Sequence, residues 1–178
     1  MDILEKIEES NTVYEGLIFD VEKIKTSLPN GKEAYRDVVR HKGASGVIAL
    51  DKDLNIVLEK QYRIAFDQVL IELPAGKIDP GESPLECAKR ELKEETGIVA
   101  NKMTYIMTVA SSPGFSDELV HLYLAEDLQE GAASPDSDEN LIVWKEPLAK
   151  AKKRVFEGEI TNGLAVVGIL AACQIKGI

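Results

Sequence analysis

Cysteine is scarce in this chain: there are two, Cys87 and Cys173, and no CxxC pair. That excludes a disulfide framework and a thiolate metal site. Both residues fall in helix-like apolar patterns and read as buried, reduced thiols. Positive charge is also in short supply. Lys and Arg number 21 against 31 Asp and Glu, for a formal net charge of -10. No basic patch is evident to neutralise phosphates, so binding to nucleic acid or to anionic lipid is not expected. A small phosphorylated substrate stays open, because bound divalent cations invert local charge. Long apolar runs are missing too. The most apolar, Leu164 to Cys173, falls far short of the roughly 20 residues a membrane helix needs. The N-terminus MDILEKIEES is too acidic and too broken for a signal peptide. Internal repeats and low-complexity tracts are absent. The expected location is the cytoplasm.

What is present is an ordinary globular composition, 44% hydrophobic and 29% charged over 178 residues. That length fits one domain, or one domain with a small appendage, and can bury a core without disulfides. Residues 1–12 read as a polar lead-in or short helix. Thr12 to Ile24 is β-rich, Pro29-Asn30-Gly31-Lys32 is a turn, and AYRDVVRHK pairs back as a hairpin. We therefore expect a β-rich N-terminal segment over residues 1–42 and a main domain over 43–178. In the latter, Val47 to Leu50 and Ile56 to Tyr62 read as a second hairpin, and Val69 to Leu73 as a strand. Further strands are expected over Met103 to Val109, Leu119 to Ala125 and Leu141 to Trp144, with helices over Ala149 to Glu157 and Leu164 to Ile175. Strands mixed with three helices predict an α/β layered domain.

The stretch Gly76 to Ile98, GKIDPGESPLECAKRELKEETGI, stands apart. It reads as a Gly/Pro/Asp loop followed by a helix. Ser83 is the N-cap, Pro84 takes the first helical position, Glu86 completes a capping box, and Gly97 ends the helix. Leu85, Ala88 and Leu92 share a face that packs on the sheet, with Glu91 and Glu95 at its edge. These two glutamates are four residues apart and repel one another unless a cation lies between them. Oxygen donors of this kind suit a hard divalent ion such as Mg²⁺. Arg90 and Glu94, also four apart, can pair on the helix surface.

The joint spacing resembles the Nudix box at each defined position. Gly76 is followed after five residues by Glu82, and after seven more by Arg90-Glu91-Leu92-Lys93-Glu94-Glu95-Thr96-Gly97-Ile98. The resemblance implies hydrolysis of a nucleoside diphosphate linked to another moiety, with Mg²⁺ as cofactor and Mn²⁺ able to substitute. It implies a mixed β-sheet sandwiched between α-helices, here with a small N-terminal β-rich extension. Glu91 and Glu95 would be metal ligands, Glu94 would assist, Arg90 would fix the glutamates, and Glu82 would bond within the loop.

Pro113, sixteen residues after Gly97, resembles the mark of the ADP-ribose pyrophosphatase subgroup. So do SSPGFSDELVHLYLA, QYR at 61–63, ELPAG at 72–76 and the closing FEGEITNGLAVVGILA. That resemblance implies ADP-ribose as substrate, with AMP and ribose 5-phosphate as products. The Ala75 carbonyl would be a further metal ligand. Arg36 and Arg63 would contact the substrate's anionic groups, Glu118 would hold the terminal ribose, and Phe19 or Tyr14 could stack on adenine. The base would come from SPDSDENLIVW, with Glu139 preferred and Asp138 next. Ser137 stands where some relatives have another glutamate, so a two-carboxylate loop is not expected. Members of the subgroup are homodimers that exchange N-terminal sheets. The alternatives are a relative acting on an ADP-sugar, GDP-mannose, a dinucleotide coenzyme or a dinucleoside polyphosphate, or a non-catalytic Nudix domain that senses nucleotide sugars.

Overall fold

A computed structural model of the chain describes residues 3–135 and 139–178. It divides into two compact units. One holds the residues up to Gly43 together with Ala110–Leu119; the other holds Ala44–Val109 and Val120–Ile178.

The first unit is a three-stranded antiparallel sheet in the order β1-β2-β3, made of β1 (Lys6–Glu15), β2 (Phe19–Ser27) and β3 (Glu33–His41). The polar lead-in is therefore a strand, neither coil nor helix. Every residue of β1 is exposed, so apolar alternation could not reveal it. What holds it is the ladder to β2, from Lys6 opposite Ser27 to Glu15 opposite Asp20, with cross-strand bonds from Ser27 to Glu8 (2.8 Å) and Ser10 to Glu22 (3.0 Å). The Pro29–Lys32 turn lies where expected, between β2 and β3, with Gly31 donating to the Leu28 carbonyl. The Ala110–Leu119 segment runs beside β3. There Val39 donates to the Phe115 carbonyl at 2.7 Å, and the His41 N–H donates to the Asp117 carboxylate at 2.9 Å.

The second unit contains β4 (Ala44–Ala49), β5 (Asn55–Arg63), β6 (Gln68–Glu72), β7 (Ala75–Lys77), α1 (Pro84–Thr96), most of β8 (Val99–Ala110) and of β9 (Leu119–Gln129), β10 (Ile142–Pro147), α2 (Leu148–Phe156) and α3 (Gly163–Lys176). The strands form a four-stranded sheet, β7-β4-β9-β8, and a three-stranded sheet, β10-β5-β6. The expected hairpin over Val47 to Tyr62 is not formed as a ladder. Its two strands enter different sheets and share a single bridge, Leu50 to Ile56. From Ser45 to Ala49, β4 is buried throughout. Such a strand belongs inside a covered sheet, and it pairs there in parallel with β9 and antiparallel with β7. Both edges of β4 are thereby used, and β5 pairs with β6 and β10 instead.

Period-two alternation then divides the core. Val47 and Ala49 of β4, with Tyr123 and Ala125 of β9, pack with Ala88 and Leu92 of α1. Ile48 of β4 and Leu122 and Leu124 of β9 face the other way, toward Leu148 and Ala151 of α2 and Ala165 and Ile169 of α3. A mixed sheet thus lies between helical layers, as the α/β expectation requires.

The local signals around α1 appear in full. Ser83 and Glu86 form the reciprocal capping box, Pro84 opens the helix, and Gly97 closes it in the left-handed conformation (φ 73°), its N–H bonded to the Lys93 carbonyl. One detail differs. The buried residues are Cys87, Ala88, Glu91, Leu92 and Glu95, whereas Leu85 is 36% exposed. The inward face is rotated from the Leu85 side toward Cys87, which puts Glu91 and Glu95 within the buried stripe and not at its edge.

Candidate metal and active site

The loop after β7 and the last two turns of α1 bring three of the expected carboxylates, Glu82, Glu91 and Glu94, together around Arg90. The guanidinium of Arg90 donates to both oxygens of Glu82 (2.9 Å each), to Glu91 at 2.8 Å, to Glu94 at 3.1 Å and to the Lys77 carbonyl at 3.0 Å. The planar fork of arginine suits such simultaneous contacts. Its pKa is raised, first by the bond to Glu82, and that bond in turn lowers the pKa of Glu82. Glu82 also accepts the N–H of Asp79, closing the loop on itself (3.1 Å). Gly76 has a steric reason to be glycine: a Cβ there would overlap the Glu91 carboxylate.

Glu95 faces inward with only 3% exposure and accepts the N–H of Ala75 at 3.0 Å. Burial raises its pKa, and the negative charges of Glu59, Glu91 and Glu139 add to the rise. Glu91 is shifted upward as well, chiefly by burial, with Arg90 acting against it. Glu139 is half-buried, and its charge acts on Glu59, Glu91 and Glu95. The loop before β10 therefore brings a carboxylate to this group. Asp138 and Ser137 lie outside the described residues.

Two participants are missing from the sequence reading. Glu59 on β5 and Glu72 on β6 stand directly opposite one another in the ladder and are 1% and 5% exposed. Arg63, expected to contact substrate, forms a two-point pair with Glu72 at 2.9 and 2.7 Å. Glu59 is shifted upward by burial first and Glu72 second, and its Oε2 has no hydrogen-bond partner among the described residues. A signal was available: Glu59 directly follows the apolar run Ile56-Val57-Leu58 and is buried with it.

Arg36 and Glu118 belong to the first unit. Arg36 pairs there with Glu5 at 2.7 Å; Glu118 accepts from Ser111 Oγ at 2.5 Å and lies 3.4 Å from His41. In the same unit the rings of Tyr14 and Phe19 are 6.1 Å apart and both residues are exposed. Cys87 and Cys173 are free and buried. Burial pushes the Cys87 thiol up to about 12, so it is inert as a nucleophile.

Among the described residues, no three His, Cys, Asp or Glu side chains are already gathered around a point that would hold a metal ion. Glu91 is turned to Arg90 and Glu95 to the Ala75 N–H, the nearest donors open to mutually repelling carboxylates. The donor chemistry nonetheless fits a hard divalent cation. Several buried carboxylates share one region, Arg63 and Arg90 are committed to Glu72, Glu82, Glu91 and Glu94, and among the described residues one buried oxygen, Glu59 Oε2, has no partner.

Comparison with known proteins gives a consistent result. The sequence model of the NUDIX domain matches residues 39–161. The chain is 39% identical over 167 residues to an ADP-ribose pyrophosphatase of Bacillus subtilis (strain 168), covering 93% of this chain and 90% of that one. It is 36% identical, with the same coverage, to a methanol dehydrogenase activator of Bacillus methanolicus. A crystal structure of an ADP compounds hydrolase superposes with a TM-score of 0.86 at 25% identity, over 99% of this chain and 97% of that one.

Proposed function

The chain belongs to the Nudix family, and from that premise we propose that it hydrolyses the pyrophosphate of ADP-ribose to AMP and ribose 5-phosphate. The observation that carries this reading is the likeness to an ADP-ribose pyrophosphatase over nine-tenths of both chains, which reaches well beyond the shared box. A divalent cation, Mg²⁺ with Mn²⁺ able to substitute, supplies charge neutralisation at the pyrophosphate and lowers the pKa of a bound water.

Glu91, Glu95 and the Ala75 carbonyl would hold that cation. Arg90 would keep Glu91, Glu94 and Glu82 in place through the bonds it already makes. Glu139 would take the proton from the attacking water as general base, or serve as an extra metal ligand; its influence on Glu91 and Glu95 supports that role. Water adds across the P–O–P bridge, one phosphate leaving with adenosine and the other with ribose. Arg36, Arg63 and Glu118 are the proposed substrate contacts. Arg63 is held by Glu72 with its side chain 42% exposed, so a phosphate oxygen can approach it without breaking that pair.

Residues 1–42 would form the dimerisation segment and 43–178 the hydrolase domain. A homodimer joined through the N-terminal sheet is supported by the exposed apolar side chains Ile7, Val13, Tyr14 and Tyr35 on that sheet. Two free thiols suit a reducing cytoplasm. No helix among the described residues is long and apolar enough to cross a membrane.

The test is a substrate panel of ADP-ribose, ADP-glucose, GDP-mannose and a dinucleotide coenzyme with Mg²⁺, following phosphomonoester release. ADP-ribose should turn over fastest. A sugar nucleotide hydrolysed well ahead of it would reassign the substrate, and no turnover of any would refute the hydrolase reading. A second reading comes from the 36% identity to a methanol dehydrogenase activator. On it, this chain stimulates a dehydrogenase, which a coupled dehydrogenase assay with and without the chain would detect.

A further inference from the structure

Glu59 lies outside the Nudix box in sequence, yet its charge and those of Glu91 and Glu95 in that box act on one another. The residue is 1% exposed, and its Oε2, closed to solvent, has no hydrogen-bond partner among the described residues. Its position explains the lack of a local cation. On β5 it shares a face with Arg63, four residues on, and stands directly opposite Glu72 on β6. The Arg63 guanidinium is already engaged with Glu72 through two bonds, at 2.9 and 2.7 Å. Arg90 is likewise committed, to Glu82, Glu91 and Glu94. The other charged groups acting on Glu59 are carboxylates: Glu95 and Glu91 of α1, and Glu139 from the loop before β10.

A carboxylate with an unpaired oxygen is costly inside a protein, and an apolar side chain of similar size would suit the fold better. The neighbouring positions on β5, Ile56, Val57 and Leu58, are indeed apolar and wholly buried. Among the described residues the cation near Glu59, Arg63, is committed to Glu72, and a divalent ion is the partner that several crowded carboxylate oxygens prefer.

We infer that Glu59 is a further carboxylate of the metal centre, binding the cation directly or through a metal-bound water together with Glu95. The inference rests on the reading of Glu91 and Glu95 as metal ligands. It extends the centre from the loop and helix of the box onto the neighbouring sheet. In this arrangement the β10-β5-β6 sheet is part of the cation's support, and Arg63 and Glu72 are the pair that keeps Glu59 free for it.

The test is Mn²⁺ binding, read from the electron paramagnetic resonance signal of the free ion, for wild type, Glu59→Gln and Glu95→Gln. Glu59→Gln keeps the shape and removes the charge. It should weaken Mn²⁺ binding by about 10- to 100-fold or lose one bound ion, and it should gain less melting temperature from saturating Mn²⁺ than wild type does. If Glu59 is only a buried acid kept neutral by the fold, Gln replaces it with unchanged affinity and stoichiometry, and that result overturns the inference. Failure of the underlying metal reading looks different: wild type itself would bind no Mn²⁺, or Glu95→Gln would bind it as wild type does. Should Glu59→Gln not fold, anomalous diffraction from the wild-type protein with Mn²⁺ decides the matter. A Glu59 carboxylate bonded to the ion or to one of its waters supports the assignment; a carboxylate farther away overturns it.

Discussion

At the scale of single residues, the molecule balances buried carboxylates against few cations. Glu59, Glu91 and Glu95 all have pKa values shifted upward, with burial as the largest cause. The direction fixes a pH dependence for the metal-free protein. A carboxylate whose folded pKa exceeds its ordinary value of 4.5 keeps its proton in the folded chain after the unfolded chain has lost it. The stability it contributes is complete below 4.5 and is lost as pH rises through the folded value, about 8 for Glu59. Denaturant unfolding in a metal chelator should therefore show stability falling from slightly acid toward alkaline pH. Added Mg²⁺ should flatten that fall, because the cation stabilises the charged forms. Stability that rises over the same range without metal would contradict the shifts. The same burial makes Glu95→Gln informative: it should lose most of the hydrolysis rate, and its metal-free form should be at least as stable as wild type at alkaline pH. Near wild-type turnover at saturating metal would remove Glu95 from the ligand set.

At the scale of elements, α1 is the part most fully written in local sequence. Its start, its end and its capping box depend on contacts within a few residues, and all of them are formed. Ser83→Ala removes the side-chain bond to the Glu86 N–H and the hydroxyl contact with the Glu86 carboxylate. The expected cost is about 1 kcal/mol, or roughly 2–4 °C in melting temperature for a chain of this size. Turnover should stay close to wild type, since Glu91 and Glu95 lie in later turns; a large loss of rate with an unchanged melting temperature would contradict this. The strands were less legible. Val47 to Leu50 and Ile56 to Tyr62 are joined by a tight turn in which Asp51 accepts the N–H groups of Asp53 and Asn55, and a hairpin is the obvious reading. Whether neighbouring strands pair with each other depends on the other partners competing for their edges. For β4 those partners are β7 and β9, and β9 lies far along the chain. The all-exposed β1 shows the same limit: its ladder to β2 specifies it, while its own pattern does not.

At the scale of the whole molecule, the N-terminal sheet carries more exposed apolar surface than a solvated appendage needs. Ile7, Val13 and Tyr14 of β1 are each more than half exposed. A second copy covering this sheet would account for them. Sedimentation velocity should give twice the 19.5 kDa chain mass. Val13→Lys places a charge in the proposed interface and should shift the equilibrium toward monomer at low concentration. A wild-type monomer at micromolar concentration would rule the dimer out.

The sequence by itself determined the chemistry of the loop and helix, because the residues from Gly76 to Ile98 are contiguous and a helix converts their spacing into geometry with no outside help. Arg90 reaches Glu82, Glu91 and Glu94 for that reason. It also foretold the three helices and the layered α/β class, both consequences of local periodicity. Only the tertiary structure decided that β4 and β5 part into separate sheets, that the buried stripe of α1 encloses its glutamates, and that Glu59 stands buried opposite Glu72 with its charge acting on Glu95. Those facts follow from pairing between distant segments, where the burial of one strand depends on which others reach its edges first. The proposed cation site is accordingly legible as a motif along the chain, and the buried carboxylates of the neighbouring sheet, Glu59 and Glu72, become visible only once the chain has folded.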